Sequence, residues 1–198
     1  MDAKKEKNYH YGNLKETLIE QGIAMIHKEG IAKFSLRKLA KTVGVSATAC
    51  YNHFENADAL MQEMLSYIID KFANSLETAI EKNPYNSVTI SMGVAYVEFF
   101  AEHRHYFTLL FENESFCINI TEDEIQCNSS FKPFDIFAEG AKRGMKELNI
   151  DEKEWRDDLL AMWAIVHGLA AMANMEGIQY DGDWGELTAS ILRRNLVL

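Results

Sequence analysis

The stretch from Ser35 to Phe54 constrains the fold of this chain most, because its residue order predicts two short helices separated by a glycine turn. Ser35 is a favoured N-cap residue, and Leu36 and Leu39 begin an apolar stripe along the helix that follows it. Gly44 occupies the turn, where a side chain would obstruct the reversal of the chain. Two helices joined in this way form a helix-turn-helix unit, whose second helix enters the major groove of DNA.

The second helix of this unit is predicted to begin at Ser46 and to have two unlike faces. Cys50 and Phe54 lie four residues apart, so both can face the first helix. The other residues are small or polar and are predicted to point outward: Ala47, Thr48, Tyr51, Asn52 and His53. An outward face of this composition is suited to contact another molecule.

These residues resemble the N-terminal domain of the TetR family of transcriptional regulators. Val45-Ser46 followed by Cys50-Tyr51-Asn52-His53-Phe54 is similar to the recognition-helix pattern of that family, which is Val-Ser, three variable residues, an apolar residue and Tyr-x-His-Phe. Tyr9-His-Tyr-Gly-Asn-Leu14 and Trp163-Ala-Ile-Val-His167-Gly168 resemble one branch of the family, whose C-terminal domain carries a Trp-His-Gly motif. The resemblance implies a sequence-specific DNA-binding transcriptional regulator and favours repression.

Side-chain chemistry, supported by the resemblance, assigns phosphate contacts to several residues. Tyr51 and His53 can donate hydrogen bonds to phosphate oxygens, which positions a protein on DNA without reading its sequence. Arg37, on the first helix of the pair, is expected to contact a phosphate, with a guanine base as the alternative. Lys38 and Lys41 are expected to form a solvated basic face that adds electrostatic attraction.

Ala47, Thr48 and Asn52 are the candidates for contacts with base edges. The methyl groups of Ala47 and Thr48 suit the methyl group of thymine, and the amide of Asn52 suits adenine. The sequence therefore predicts that base reading is concentrated at these positions of the second helix.

The chain departs from the family pattern at the start of the helix that follows. Many relatives have a phosphate-binding lysine three residues after the phenylalanine of the recognition helix, whereas this sequence has Ala57 followed by Asp58. The resemblance therefore predicts weaker or more salt-tolerant DNA binding than in relatives that have the lysine.

Charge is distributed unevenly along the chain, which has a formal net charge of -10. Residues 1–55 carry nine Lys or Arg against six Asp or Glu, whereas residues 56–198 carry eleven against twenty-four. A basic N-terminal part on an acidic remainder favours an orientation with the basic end toward phosphate. Lys4, Lys5 and Lys7 form either a basic arm that can follow the duplex or a tail that only aids solubility.

Helical periodicity dominates the sequence and almost no stretch shows the alternation of a strand, so the sequence predicts an all-α fold. We expect a three-helix helix-turn-helix domain over residues 1–55 and a helical domain for effector binding and dimerisation over residues 56–198. The predicted helices run from Asn13 to Gly30, from Ser35 to Gly44, from Ser46 onward, from about 56 to 82, and over about 84–102, 105–112, 134–148, 152–175 and 184–196. Residues 113–130 are predicted to be a polar, acidic loop.

The C-terminal domain is predicted to pair two subunits. Small residues at three-to-four spacing allow the close approach of a partner helix, and apolar residues of the last helix lie beside them: Ala161, Ala164, Gly168, Ala171, Leu187 and Ile191. A monomer core is the alternative explanation of this pattern. Two recognition helices must lie about one DNA turn apart, roughly 34 to 36 Å, so DNA binding itself calls for a homodimer.

Aromatic and methionine side chains are concentrated in the middle helices, which predicts an apolar cavity for an effector. The candidate lining residues are Tyr67, Met92, Tyr96, Phe99, Phe100, Phe107, Phe111, Phe137, Met162, Trp163, Val166 and His167. Ordinary core packing is the alternative for each of these residues taken singly. A cavity of this composition suits an apolar or aromatic small molecule, with His167 as one of a few polar groups.

Other classes of function find less support. The sequence predicts neither an enzyme nor a cofactor, although His103 and His105 with the nearby Glu98 and Glu102 can recruit a metal. A metal-responsive regulator, or a redox-responsive one that uses Cys117 and Cys127, is the alternative, but no Lys, Arg or His adjoins either cysteine to activate it. Without a secretory segment or a bilayer-spanning run, we expect a cytoplasmic protein with no membrane partner.

Overall fold

The computed structural model describes residues 13–111, 117–127 and 131–195, and these residues are predominantly helical, which confirms the all-α prediction. Lys4, Lys5 and Lys7 of the predicted basic arm, and residues 9–12 of the N-terminal motif, lie outside the described residues. The chain forms two compact units, and the division between them falls after Met64. The domain boundary expected from the sequence, between residues 55 and 56, precedes this division.

Three helices and the start of a fourth form the N-terminal unit. They are α1 (Leu14–Glu29), α2 (Leu36–Val43), α3 (Ala47–Tyr51) and the first residues of α4 (Ala57–Lys82), with a 3-10 turn at Ile31–Lys33 between α1 and α2. The α1 helix follows Asn13, whose side-chain amide donates a hydrogen bond to the Glu16 carboxylate. Leu18 and Ile23 of α1 and Leu39 of α2 have no exposed surface, so the predicted apolar stripes form the core of this unit.

The C-terminal unit consists of the rest of α4, five further helices and one hairpin among the described residues. In chain order these are α5 (Val88–Glu102), α6 (Arg104–Phe111), strands β1 (Ile118–Ile120) and β2 (Ile125–Cys127), α7 (Lys132–Glu147), α8 (Trp155–Asn174) and α9 (Trp184–Asn195). The α5 helix lies at the centre and packs against α7, α8 and α9. Its polar residues Thr89 and Ser91 are buried along with its apolar ones, because neighbouring helices surround it.

Gly93 allows the close approach of helices at the centre of this unit. A Cβ atom at this position would lie 2.6 Å from Leu192 Cδ1 on α9 and 3.2 Å from Val166 Cγ1 on α8. Protein interiors are packed too densely to absorb such an overlap without movement of the neighbours. The absence of a side chain at Gly93 therefore sets how closely α5, α8 and α9 pack.

Two elements differ from the sequence-based expectation. The α5 helix begins at Val88 rather than near residue 84, because Ser87 caps it by accepting a hydrogen bond from the Ile90 N–H at 3.4 Å. Part of the predicted loop 113–130 forms an antiparallel hairpin, in which Ile118 pairs with Cys127 and Ile120 with Ile125. Residues 113–116 and 128–130 of that loop lie outside the described residues.

No helix among the described residues combines the length and the apolar character that spanning a bilayer requires.

Candidate functional site

Two serine side chains and one glycine fix the geometry of α2 and α3. The Ser35 hydroxyl accepts a hydrogen bond from the Lys38 N–H at 3.3 Å, and the Ser46 hydroxyl accepts one from the Ala49 N–H at 3.1 Å. Gly44 has φ 83° and ψ 28°, a left-handed conformation that side chains disfavour. Both N-caps and the turn therefore lie where the sequence predicts them.

The α3 helix has one buried and one exposed face. Cys50 has no exposed surface and Phe54, just after the helix, is 2% exposed, so both belong to the core of the N-terminal unit. Burial raises the pKa of the Cys50 thiol, which disfavours the reactive thiolate. Of the predicted contact residues on α3, Thr48 and Tyr51 are exposed and Ala47 is half-buried. Asn52 and His53 are exposed too, but they follow the end of the helix, which is shorter than predicted.

The three basic residues of α2 are exposed, and one of them forms an ion pair with α1. Arg37 and Lys41 are exposed. The ammonium group of Lys38 forms an ion pair with the Glu29 carboxylate, and this hydrogen bond holds the pKa of Glu29 below its ordinary value. Lys38 is exposed as well, so its side chain is solvated as the sequence suggests, while its charge is partly offset by Glu29.

The start of α4 is capped by Asn56. Its side-chain oxygen accepts a hydrogen bond from the Ala59 N–H at 2.8 Å. Asp58 is exposed and places a negative charge in the first helical turn. An amide group and a carboxylate thus occupy the end of a helix that otherwise attracts anions.

A small apolar cavity lies inside the C-terminal unit. Nine described residues from α4 to α8 line it: Phe72, Tyr96, Phe111, Ile118, Phe131, Pro133, Phe134, Phe137 and Trp163. Four of these, Tyr96, Phe111, Phe137 and Trp163, were predicted from the sequence. Its free volume is about 10 Å³, close to the minimum for a single water molecule, so a larger occupant must displace part of the wall.

The other predicted lining residues lie outside the cavity wall. Met92, Phe100, Met162 and Val166 are at most 1% exposed and fill the core around α5 and α8. Phe99 stacks on Phe72, Tyr67 contacts the edge of Tyr106, and Phe107 contacts Phe111 and His167. The spacing that predicted these residues reflects burial, which core packing produces as readily as a cavity does.

Most of the cavity-lining residues that the sequence does not predict lie just before α7 or in its first turn. Phe131, Pro133 and Phe134 line the cavity, together with Phe72 of α4 and Ile118 of β1. The sequence does contain a sign of these residues. Three bulky apolar residues within four positions, one of them a proline, indicate the buried start of a helix.

Arg156 of α8 forms hydrogen bonds with the hairpin. Its guanidinium donates hydrogen bonds to the carbonyl oxygens of Thr121, at 3.3 Å, and Glu122, both in the hairpin turn. The Asp157 carboxylate accepts a further hydrogen bond from Arg156 Nε at 2.7 Å. These contacts hold β1 where Ile118 forms part of the cavity wall.

A polar cluster adjoins the aromatic rings. The Tyr96 hydroxyl lies 3.0 Å from His167 Nδ1, within hydrogen-bonding distance, and also hydrogen bonds with the Trp163 side chain. Burial raises the pKa of Tyr96, with the Trp163 hydrogen bond acting in the opposite direction, and burial lowers the pKa of His167. Both side chains are therefore uncharged near neutral pH.

The geometry does not favour the metal or redox alternative. Cys127 pairs with Ile118 across the hairpin and shares its face, so the adjacent Cys117 faces the opposite side of the ribbon. A disulfide between these cysteines would require a change of register. The rings of His103 and His105 are 6.3 Å apart, and within the described ranges no group of three or more His, Cys, Asp or Glu is placed to hold a metal ion.

One side of α8 carries small and apolar residues toward solvent. Leu187 and Ile191 of the neighbouring α9 are half-buried. On α8, Ala161 and Ala164 are exposed, and Gly168 and Ala171 are half-buried. Met172 and Met175, further along the same helix and just after it, are 42% and 52% exposed. A Cβ atom built on Gly168 would meet no other atom within 4 Å, so this part of α8 is open within one protomer.

The N-terminal unit matches a known family. The profile described as "Bacterial regulatory proteins, tetR family" matches residues 18–64, which contain α2, α3 and their flanking helical segments. Residues 18–64 therefore form an N-terminal domain of the TetR type. Membership of the branch with a C-terminal Trp-His-Gly motif stays a prediction.

Individual relatives of the chain are distant in sequence. The chain is 23% identical over 117 residues to an uncharacterized HTH-type transcriptional regulator, YobS of Bacillus subtilis, across 59% of this chain and 61% of that protein. It is 28% identical over 131 residues to the nucleoid occlusion factor SlmA of Aliivibrio fischeri, across 63% of this chain and 66% of that protein. These matches span less than two thirds of the length of the curated relatives.

The likeness in fold extends through the C-terminal unit. The structure of the transcriptional regulator FadR from Bacillus subtilis in complex with stearoyl-CoA superposes with a TM-score of 0.67, covering 90% of this chain and 95% of that one. The sequences are only 16% identical. The likeness therefore establishes a shared fold.

Proposed function

We propose that this TetR-family protein is a homodimeric, sequence-specific DNA-binding repressor that an apolar or aromatic small molecule releases from its operator. The observation that carries the proposal is the exposed polar face of α3, behind which Cys50 and Phe54 are fully buried. A helix that contributes one face to the core and leaves the other accessible can enter a major groove without unfolding.

Contacts with DNA follow from the chemistry of the exposed side chains. Asn52 can form two hydrogen bonds with adenine, and the methyl groups of Ala47 and Thr48 can contact thymine. Tyr51, His53 and Arg37 supply donors for phosphate oxygens and set the orientation of the helix. The remaining specificity comes from the half-site spacing that a dimer imposes.

Dimerisation is assigned to the open side of α8 together with the adjacent part of α9. Ala161, Ala164 and Gly168 let a second helix approach closely, and Leu187 and Ile191 offer apolar surface beside them. An interface built from one surface on both subunits gives a closed, two-fold dimer.

The effector site is assigned to the aromatic cavity. The structure of FadR is a complex with stearoyl-CoA, which supports the idea that this fold accommodates a ligand with an apolar part. The α4 helix is continuous from Ala57 to Lys82 and includes residues of both units. We expect effector binding to shift this helix between two positions, so that binding of DNA and of effector are reciprocally coupled.

The experiment that tests the function is selection of bound duplexes from a random DNA pool, followed by titration of the selected operator at fixed salt. A conserved two-fold repeat with half-sites one helical turn apart is expected. Operator titration is then repeated with a panel of apolar compounds. Recovery of no enriched sequence would contradict the DNA-binding proposal, and unchanged operator affinity across the panel would contradict effector release.

Asn52→Ala is expected to lower affinity for the selected operator by roughly 10- to 100-fold and to relax the preference at one base position. The physical reason is the loss of a bidentate contact with a base. Tyr51→Phe is the comparison variant, because it removes a phosphate donor and should weaken binding to all sequences alike. Binding to a set of single-base operator variants measures both effects. A uniform loss with Asn52→Ala would contradict its assignment as a base-reading residue.

Ala57→Lys is expected to strengthen operator binding and to steepen the dependence of log K on log salt by about 0.9, the value for one added phosphate contact. Asn74→Lys, at an exposed position later in α4, adds the same charge and serves as the control. Titrations at several salt concentrations measure the slopes. If the two variants change the slope equally, the effect belongs to net charge and not to a contact at the start of α4.

A further inference from the structure

The lining of the aromatic cavity determines which small molecules it selects, provided that the cavity is the effector site proposed above. We propose that the cavity takes an uncharged single-ring aromatic compound that bears one hydroxyl group, a ligand of the phenol class. Compounds with long flexible chains or ionised groups are expected to bind less well. Three observations on the described lining residues lead to this choice: their aromatic rings, the absence of charged side chains among them, and the hydroxyl of Tyr96.

Aromatic rings dominate the wall, since seven of the nine described lining residues are Phe, Tyr or Trp. Phe72 and Tyr96 meet edge to face with centroids 4.9 Å apart, and Phe134 and Trp163 do so at 6.1 Å. Rings in such arrangements present both faces and edges, which a further ring can match with favourable quadrupole contacts. A saturated ring or chain of equal area gains the same hydrophobic stabilisation from burial, but it makes no quadrupole contacts with the wall.

The described part of the wall carries no charged side chain. Among the described residues that line the cavity there is no Lys, Arg, His, Asp or Glu, and the burial of the Tyr96 hydroxyl keeps it protonated. An ionised ligand group would lose its hydration in this space without gaining a charged partner from these residues. The free energy of that desolvation exceeds the stabilisation from burial of the attached ring. The wall therefore selects against carboxylates and phosphates.

Tyr96 lines the cavity, and its hydroxyl can take part in one more hydrogen bond. A phenolic hydroxyl has one donor and two acceptor positions. The bonds with His167 and Trp163 use two of these three. Whichever position remains, a hydroxyl group on the ligand satisfies it, because a hydroxyl both donates and accepts.

The small free volume sets the size of the ligand. Because the cavity holds little more than a water molecule, any ring must displace a wall residue. Ile118 is the lining residue that belongs to the hairpin, and the hairpin turn is fastened to α8 through Arg156. A single ring requires the least displacement, which favours it over fused or extended molecules.

Calorimetric titration of the full chain with four matched probes tests this inference. The probes are 4-ethylphenol, ethylbenzene, 4-ethylcyclohexanol and 1-decanol, which separate the hydroxyl, the aromatic ring and the flexible chain. We expect 4-ethylphenol to bind about 3- to 10-fold more tightly than ethylbenzene, as one hydrogen bond provides. A preference of about 3- to 10-fold over 4-ethylcyclohexanol is expected from ring contacts.

Tyr96→Phe locates the hydroxyl effect. This variant keeps the ring, so the affinity for ethylbenzene should stay unchanged while the preference for 4-ethylphenol falls to about one. Tyr67→Phe is the matched control, because Tyr67 contacts Tyr106 away from the cavity wall; it should retain the full preference. A preference that survives Tyr96→Phe would overturn the role of this hydroxyl.

The outcomes separate this inference from the function on which it rests. Tighter binding of 1-decanol, or equal binding of 4-ethylphenol and 4-ethylcyclohexanol, would overturn the ligand class and leave an apolar effector in place. Binding of none of the four probes would overturn it as well. The effector proposal itself stands or falls on whether any compound in the wider panel releases operator DNA.

Discussion

Gly168→Trp is expected to yield a monomer by blocking the proposed subunit interface, and to lower operator affinity by about 100-fold or more. Gly168 lies on the open side of α8, where a Cβ atom meets nothing within 4 Å of the same protomer. The position therefore has room for a Cβ atom within one subunit, and an indole ring attached to it would obstruct the approach of a second helix. Loss of the second recognition helix removes the gain from simultaneous binding, which is on the order of 100- to 10,000-fold.

Gly177→Trp provides the matched control for this experiment. Gly177 lies between α8 and α9, is exposed, and likewise has nothing within 4 Å of a built Cβ atom. Analytical ultracentrifugation of both variants measures the mass, and operator titration measures the affinity. A Gly168→Trp protein that remains dimeric, with the Gly177→Trp protein behaving in the same way, would place the subunit interface elsewhere.

Phe72→Ala is expected to lower the free energy of unfolding by about 3 to 5 kcal/mol, the usual cost of truncating a buried phenylalanine. Phe72 is 1% exposed, and the rings of Tyr96, Phe99 and Phe100 lie with centroids 4.9, 5.1 and 4.7 Å away. Removal of this ring leaves three others without a shared neighbour. Urea denaturation followed by circular dichroism, at one fixed protein concentration because a dimer's stability depends on it, measures the loss.

Phe72→Leu tests whether the loss comes from packing. Leucine retains most of the apolar volume, so we expect a cost of about 1 kcal/mol. Similar large losses for both variants would instead indicate that the aromatic character of the ring, through its contacts with its three neighbours, dominates.

Capping residues made the N-terminal unit predictable from the sequence. Ser35, Gly44 and Ser46 each have a local role that depends on few distant residues, and the structure places all three as expected. The outward and inward faces of α3 follow directly once the ends of that helix are fixed. Local chemistry is sufficient here because the helices are short and closely connected.

The hairpin and the cavity wall were not predictable in the same way. Strands of three residues, such as Ile118–Ile120, are too short for alternation to stand out from a polar loop. Helical spacing marks Met92 and Phe100 as buried, but it does not distinguish a side chain that fills the core from one beside a void. Phe72 lines the cavity because helices distant in the sequence meet around it, and that arrangement is a property of the tertiary packing.

The exposed side of α3 contributes little to the stability of the N-terminal unit. Its outward side chains leave the packing to Cys50 and Phe54 and the end-capping to Ser46. Substitutions at such accessible positions usually change stability by less than about 0.5 kcal/mol. Thr48 and Asn52 can therefore be exchanged almost independently of folding, so that the same scaffold acquires a preference for a different target through a handful of substitutions, in evolution or by deliberate redesign.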